Sequence, residues 1–213
     1  MNVSTKRMMC TLLFTLTLGA GSSMADSVEE PEFVSIANIG EVEIRSYPAV
    51  IQAVTTLRDS EETTRGFRRL AGFIFGSNDA KHEIAMTAPV QETLDVDHPE
   101  LAFTMPADYS MKNLPTPDDP AVSLNEVPAR TVAVISFSGW ATAAKIRNHK
   151  RQLQLVLHSH NIEYASGPIL NQYNPPWTLP FLRRNEIMLE IERPELLVDE
   201  HLYPAADAQV FKF

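Results

Sequence analysis

The segments VEIRSYPAVIQAV (residues 42–54) and VSLNEVPARTVAV (residues 122–134) align without a gap at a shift of 80 residues. Val42 meets Val122, Pro48 meets Pro128, Ala49 meets Ala129, Ala53 meets Ala133 and Val54 meets Val134. Each copy reads as strand, Pro-Ala turn, strand. Proline donates no backbone hydrogen bond and is excluded from the middle of a sheet, so the break falls at the same place in both. Each copy is followed by a stretch of helical periodicity. A period this long, present twice, is not that of a solenoid. It predicts a duplicated α+β unit.

The first helix is predicted over about Asp59–Phe75, with Asp59 and Glu62 as a capping box and Gly76 as the stop. Phe67, Leu70, Ala71 and Ile74 fall on one apolar face. The second is predicted over about Ala141–Asn161, with Ile146, Leu153, Val156 and Leu157 on one face. Further strands are expected at Ile84–Val90, Leu101–Met105 and Ile187–Ile191, and the Pro-rich PTPDDP at 115–120 divides the halves. Two β-α-β-β units of this kind bury their helix faces against one curved, closed or nearly closed sheet.

The N-terminus reads as a secretory signal peptide over residues 1–25. Lys6 and Arg7 precede an apolar run from Met8 to Ala20, and small residues end at Ser23-Met24-Ala25. The run is short and Thr-rich for a spanning helix. The mature chain would begin at Asp26 as a single domain, residues 26–213, with its core at about 31–193 and a C-terminal extension at 194–213. The only cysteine, Cys10, lies in the signal segment, so the mature chain has no disulfide, thiolate metal site or Cys nucleophile. Cleavage removes two positive charges from a chain already at −9. That excludes nucleic acid and anionic membranes as general partners. A periplasmic or secreted location is expected, with no stable membrane insertion after cleavage.

Catalytic and metal motifs are sparse. Of six histidines, His149 and His160 share a phase on the second helix but stand roughly 16 Å apart, too far to share one ion. There is no G-x-S-x-G, no G-x-G-x-x-G and no P-loop, so no catalytic residue is assigned. Arg65 and Arg69 face away from the apolar stripe of the first helix and read as solvated. Arg68 lies on its flank, where a planar guanidinium suits a ligand carboxylate.

The stretch YNPPWTLPFLRRNEI, residues 173–187, combines three prolines, a Trp, a Phe and two arginines. The prolines predict a rigid loop that presents aromatic side chains at low entropic cost. Arg183 and Arg184 leave the same two readings open as Arg68, a solvated face or the edge of a pocket that takes a carboxylate.

Four blocks carry a resemblance to the SOUL haem-binding family over about residues 31–193. They are Val42-Glu43-Ile44-Arg45-Ser46-Tyr47; Gly66-Phe67 through Asn78 with Ile84-Ala85-Met86-Thr87-Ala88-Pro89-Val90; Phe103-Thr104-Met105-Pro106; and Gly167 through Tyr173-Asn174-Pro175-Pro176-Trp177 to Arg183-Arg184-Asn185-Glu186. The resemblance implies a twisted, distorted β-barrel built from a duplicated β-α-β-β unit and flanked by two helices. It also implies an architecture similar to the effector-binding domains of bacterial multidrug regulators. By the same resemblance the chain binds haem or another tetrapyrrole non-covalently, for sequestration or transfer. The ligand would be bordered by Phe67, Leu70 and Ile74 on the first helix and by Trp177, Leu179 and Phe181 in the loop. Arg68 and Arg183 are the candidate propionate partners. Met86 is a candidate soft ligand, with core packing as its alternative. Where some members place an axial histidine, this chain has Ser46, so the axial ligand is left unassigned. The alternatives are a binder of other flat hydrophobic ligands, or a weak hydrolase or tetrapyrrole-modifying enzyme.

Overall fold

The computed structural model describes residues 28–58, 62–165 and 167–192. The signal segment, Asp59 and the extension from residue 194 lie outside them. Nine strands and two helices follow in the order β1 (Val34–Ile39), β2 (Val42–Tyr47), β3 (Val50–Thr56), α1 (Thr63–Ile74), β4 (Val90–Thr93), β5 (Glu100–Thr104), β6 (Ser123–Val127), β7 (Arg130–Ser138), α2 (Ala143–Ser159), β8 (Ile169–Gln172) and β9 (Arg184–Glu190). The strands form one antiparallel sheet in the order β1-β2-β7-β9-β8-β4-β5-β3-β6. The fold is α+β: a curled, barrel-like sheet with two helices. Among the described residues it is not closed by hydrogen bonds, since β1 and β6 are its two edges.

The Pro-Ala breaks do not make hairpins. β2 pairs with β7 from Val42↔Ile135 to Tyr47↔Arg130, and β3 pairs with β6 from Val50↔Val127 to Val54↔Ser123. The register runs on unchanged through both breaks, so Pro48-Ala49 lies opposite Pro128-Ala129. A two-residue hairpin turn needs positive φ, which neither Pro nor Ala favours. The chain therefore continues across the sheet, and each half lends strands to the other. Setting β1 aside, the order β2-β7-β9-β8 from one end has its counterpart in β6-β3-β5-β4 from the other.

α1 begins at Thr63, later than expected. Glu62 is its N-cap residue and makes no side-chain cap bond; its carboxylate instead accepts from the Arg58 backbone N–H at 3.0 Å and from the Arg58 guanidinium. Those bonds hold the Glu62 carboxyl down at about 2. The buried face is Gly66, Leu70, Phe73 and Ile74, rotated from the expected stripe, so that Phe67 is left at the edge. Gly66 sets the approach to the sheet: a Cβ there would lie 2.5 Å from Leu57 Cδ2. α2 starts as expected, with Thr142 Oγ1 accepting from the Lys145 N–H at 3.4 Å. α1 seals one core with Ala53, Leu101 and Phe103, and α2 seals another with Ile44, Ile135 and Ile187. Each fully buried Leu, Ile or Phe contributes about 1.5–3 kcal/mol.

The expected strand at Ile84–Val90 is corrected. Only Val90 belongs to a strand, and residues 84–89 run irregularly into β4. Pro89 cannot donate to a ladder, and the preceding residues find other partners. The Thr87 hydroxyl donates to the Thr104 carbonyl, and the Ala88 N–H donates to the Glu29 carbonyl at 2.8 Å.

Candidate functional site

The loop between β8 and β9 is built as the prolines imply. Its turn closes from the Thr178 N–H to the Pro175 carbonyl at 3.1 Å, and a 3₁₀ turn covers Pro180–Leu182. Asn174 Oδ1 accepts from the Arg184 N–H at 2.6 Å at the loop's base. Arg183 is 8% exposed; its Nε donates to the Thr178 carbonyl at 3.0 Å and its Nη2 to the Pro176 carbonyl. Its guanidinium also covers the Trp140 ring, 3.7 Å from the centroid. Arg183 therefore holds the loop from beneath. Arg184 pairs with Glu30 and lies 3.5 Å over the Tyr173 ring.

On this frame the apolar side chains face solvent. Trp177 is 84% and Phe181 72% exposed, and Leu179 and Leu182 are each more than half exposed. Trp140, at the end of β7, is also half exposed and joins the loop through Arg183. A Trp directly after the Ser138-Gly139 strand end was the signal for it in the sequence. Isolated exposed apolar residues are ordinary, but four within six residues of a pinned loop form a patch.

The residues expected from the first helix lie elsewhere. Leu70 and Ile74 are fully buried in the α1 core, and Phe67, partly exposed, meets Phe103 edge-on at 5.3 Å. Arg68 is exposed, whereas Arg69, expected to be solvated, is partly buried and its Nη1 donates to Thr55 Oγ1 at 3.5 Å. Met86 is partly buried and packs against the α1 core. α1 contacts β3 and β5, while the 3₁₀ turn of the loop contacts β7. The candidate residues thus form two groups on opposite halves of the strand order.

The face of the sheet away from the helices carries a polar network. Glu186, buried on β9, accepts from Tyr173 Oη at 2.6 Å, Arg45 Nη1 at 3.0 Å and Ser136 Oγ at 3.3 Å. Arg45 Nε also donates to Glu43 at 2.8 Å, and Phe33 lies under its guanidinium at 4.3 Å. Burial opposes the Arg45 charge, but Glu43 and Glu186 outweigh it and raise its pKa. Burial and the adjacent Glu186 charge push the Tyr173 hydroxyl well above the usual phenol range. The network ties Tyr173, at the loop's foot, to β2, β7 and β9.

The chemistry on offer at the loop is contact with a flat apolar surface. Trp, Phe, Leu and Pro supply no iron ligand, and Ser46 sits partly buried on β2. Among the described residues, no group of three or more His, Cys, Asp or Glu could hold a metal ion. These residues fit a tetrapyrrole ring, which they would hold by stacking and apolar contact.

The same architecture is found among solved structures. The chain is similar to the crystal structure of the EcmrR C-terminal domain, with a TM-score of 0.56 and 13% identity over 71% of this chain and 96% of that one. It is also similar to EcmrR in a cryo-EM structure of its DNA complex, with a TM-score of 0.55 and 13% identity over 70% of this chain and 56% of that longer one. At such identity the likeness concerns the fold. The chain belongs to the SOUL haem-binding family: the family model described as SOUL heme-binding protein matches residues 28–190. It is also 30% identical over 165 residues to Heme-binding protein 2 of Mus musculus, covering 70% of this chain and 78% of the mouse protein.

Proposed function

We propose that this protein binds haem or another tetrapyrrole non-covalently on the loop Tyr173–Arg183, for sequestration or transfer outside the cytoplasm. The observation that carries this reading is the exposure of Trp177, Leu179, Phe181 and Leu182 on a loop clamped by Arg183. Family membership and the mouse relative's name supply the ligand class. A pre-ordered aromatic surface loses little entropy on binding, and flat rings suit a flat macrocycle. The N-terminal signal reading supports export. The mirrored strand order supports descent from a duplicated unit.

A visible-absorption titration with ferric haem, run beside iron-free protoporphyrin, tests the reading. Saturable binding of both at one equivalent, with similar affinity, is the expected result. No saturable change with either overturns it. N-terminal sequencing of protein exported to the periplasm tests the location, with Asp26 as the expected first residue.

A second reading, a binder of other flat hydrophobic ligands, is favoured by the absence of an iron ligand among the loop's exposed side chains. Displacement of protoporphyrin by a metal-free planar aromatic such as pyrene, at comparable concentration, supports it.

A further inference from the structure

We propose that a cleft between α2 and the loop joining β4 to β5 binds a small primary amine as its ammonium ion, with the Glu92 carboxylate as counter-charge. The cleft holds about 380 Å³ and opens to solvent. Glu92 reaches it from β4, on the helix side of the sheet, where Thr63 at the start of α1 donates to its carboxylate at 3.5 Å. The apolar walls are Leu94 and Val96 of the loop and Ile146 of α2. This place is separate from the loop patch, since Trp177, Leu179 and Phe181 do not line it.

The walls are held in place by the fold. The Leu94 N–H donates to the Pro168 carbonyl at 2.8 Å and the Leu57 N–H to the Pro99 carbonyl at 2.7 Å, which anchors both ends of the loop. Lys150 Nζ meets Asp95 Oδ2 at 2.6 Å and ties the loop to α2. Asp95 has a φ of 58°, in the left-handed region that Asp tolerates better than most residues. A cleft formed in advance costs little ordering entropy when a ligand enters.

The lining defines the ligand's charge. Glu92 is 8% exposed, and its one hydrogen bond among the described residues, from Thr63, is at the long limit for such a bond. Burial raises its pKa, and no neighbouring cation among the described residues offsets that. The basic residues of the lining serve elsewhere: Arg58 donates to Glu62 at 2.9 Å, Lys150 pairs with Asp95, and Arg147 is exposed, as is Asp97. Salt screens charges on an exposed rim, whereas a buried charge acts at a lower effective dielectric. Glu92 therefore sets the preference for a cation and repels an anion. A primary ammonium adds a charge-assisted N–H···O bond to it, and the apolar body of the amine meets Leu94, Val96 and Ile146.

Titration of the full-length protein with benzylamine at neutral pH, followed by NMR chemical shifts, tests the proposal. Benzyl alcohol, of the same shape without the charge, and benzoate, of the opposite charge, are the controls. Saturable benzylamine binding is expected, with both controls at least tenfold weaker. Glu92→Gln, which removes the charge and keeps the size, is expected to bring benzylamine down to the level of benzyl alcohol and leave the protoporphyrin titration unchanged. Val96→Trp, which fills the cleft from an exposed position, is expected to abolish benzylamine binding. No saturable benzylamine binding, equal binding of benzyl alcohol, or an undiminished benzylamine preference in Glu92→Gln overturns the proposal. Should Glu92→Gln fail to fold, Val96→Trp decides, and benzylamine binding that survives it overturns the proposal. Failure of haem binding leaves the outcome at this cleft untouched.

Discussion

The Arg183 guanidinium lies 3.7 Å from the Trp140 ring centroid while donating to the carbonyls of Thr178 and Pro176. One side chain thus joins the loop before β9 to the end of β7. Lysine cannot reproduce a planar group that stacks and forks at once. Arg183→Lys is expected to lower stability by about 1–2 kcal/mol in urea unfolding. Protoporphyrin affinity should fall several-fold as the loop loses its shape. Unchanged affinity would mean that loop order is irrelevant to binding.

Trp177 and Phe181 are too exposed to support the fold. The double substitution Trp177→Ala, Phe181→Ala should leave stability within about 0.5 kcal/mol. Protoporphyrin binding, measured by fluorescence quenching, should weaken at least tenfold. A variant that binds as the parent does would move the site away from the loop.

Glu186→Gln separates the network's structural role from the loop's exposed surface. It removes the charge that balances Arg45 at 3.0 Å, where both side chains are buried. Breaking such a pair costs about 3–5 kcal/mol. The expected result is a large loss of stability in urea unfolding, and a loss under 1 kcal/mol would show that water or Glu43 compensates Arg45.

Glu92 is buried beside α1, with Thr63 Oγ1 at 3.5 Å, and burial raises its pKa. A carboxyl whose folded pKa exceeds its unfolded one favours folding in its protonated form. That advantage is present below the unfolded pKa and lost as pH rises through the folded value. Glu92→Gln should therefore raise Tm at pH 7 and leave it nearly unchanged below about pH 4, near the ordinary carboxyl range. An equal shift at both pH values would mean that packing, not charge, sets the difference.

Gly66 faces the sheet within α1, and alanine there would drive its Cβ to 2.5 Å from Leu57 Cδ2 and 3.3 Å from Thr55 Cγ2. Alanine is the better helix former by about 1 kcal/mol. Leu57 is itself buried, so it has little room to yield. Gly66→Ala should destabilise by about 1–3 kcal/mol as an overpacked core does. A stabilised variant would show that α1 can shift outward freely.

Much of the fold was legible because it rests on local periodicity. The repeated Pro-Ala breaks marked β2, β3, β6 and β7, and α2 begins within two residues of its expected start. Pairing was harder, since the same strand–turn–strand pattern serves a hairpin or a crossing. The clue was chemical: Pro-Ala suits no tight hairpin turn. The phase of α1 was misread because Phe67 and Phe73 compete for the core, and the glycine at 66 lets the helix settle on the Phe73 side. The loop was legible as rigid and aromatic, but the role of Arg183 was not, because its partners are backbone carbonyls that any sequence carries.

The crossing at the Pro-Ala breaks also governs when the molecule can be assembled. Val42 must wait for Ile135, and Val50 for Val127. While the chain is being synthesised, β2 and β3 emerge long before β7 and β6, their partners from the second half, exist. Closing loops of this length comes late in folding and slows it. Until then the first half shows two unpaired strand edges to its surroundings, an invitation to a neighbouring nascent chain. A protein threaded across a membrane before folding meets the same delay on the far side, where its second half must arrive before its first is complete.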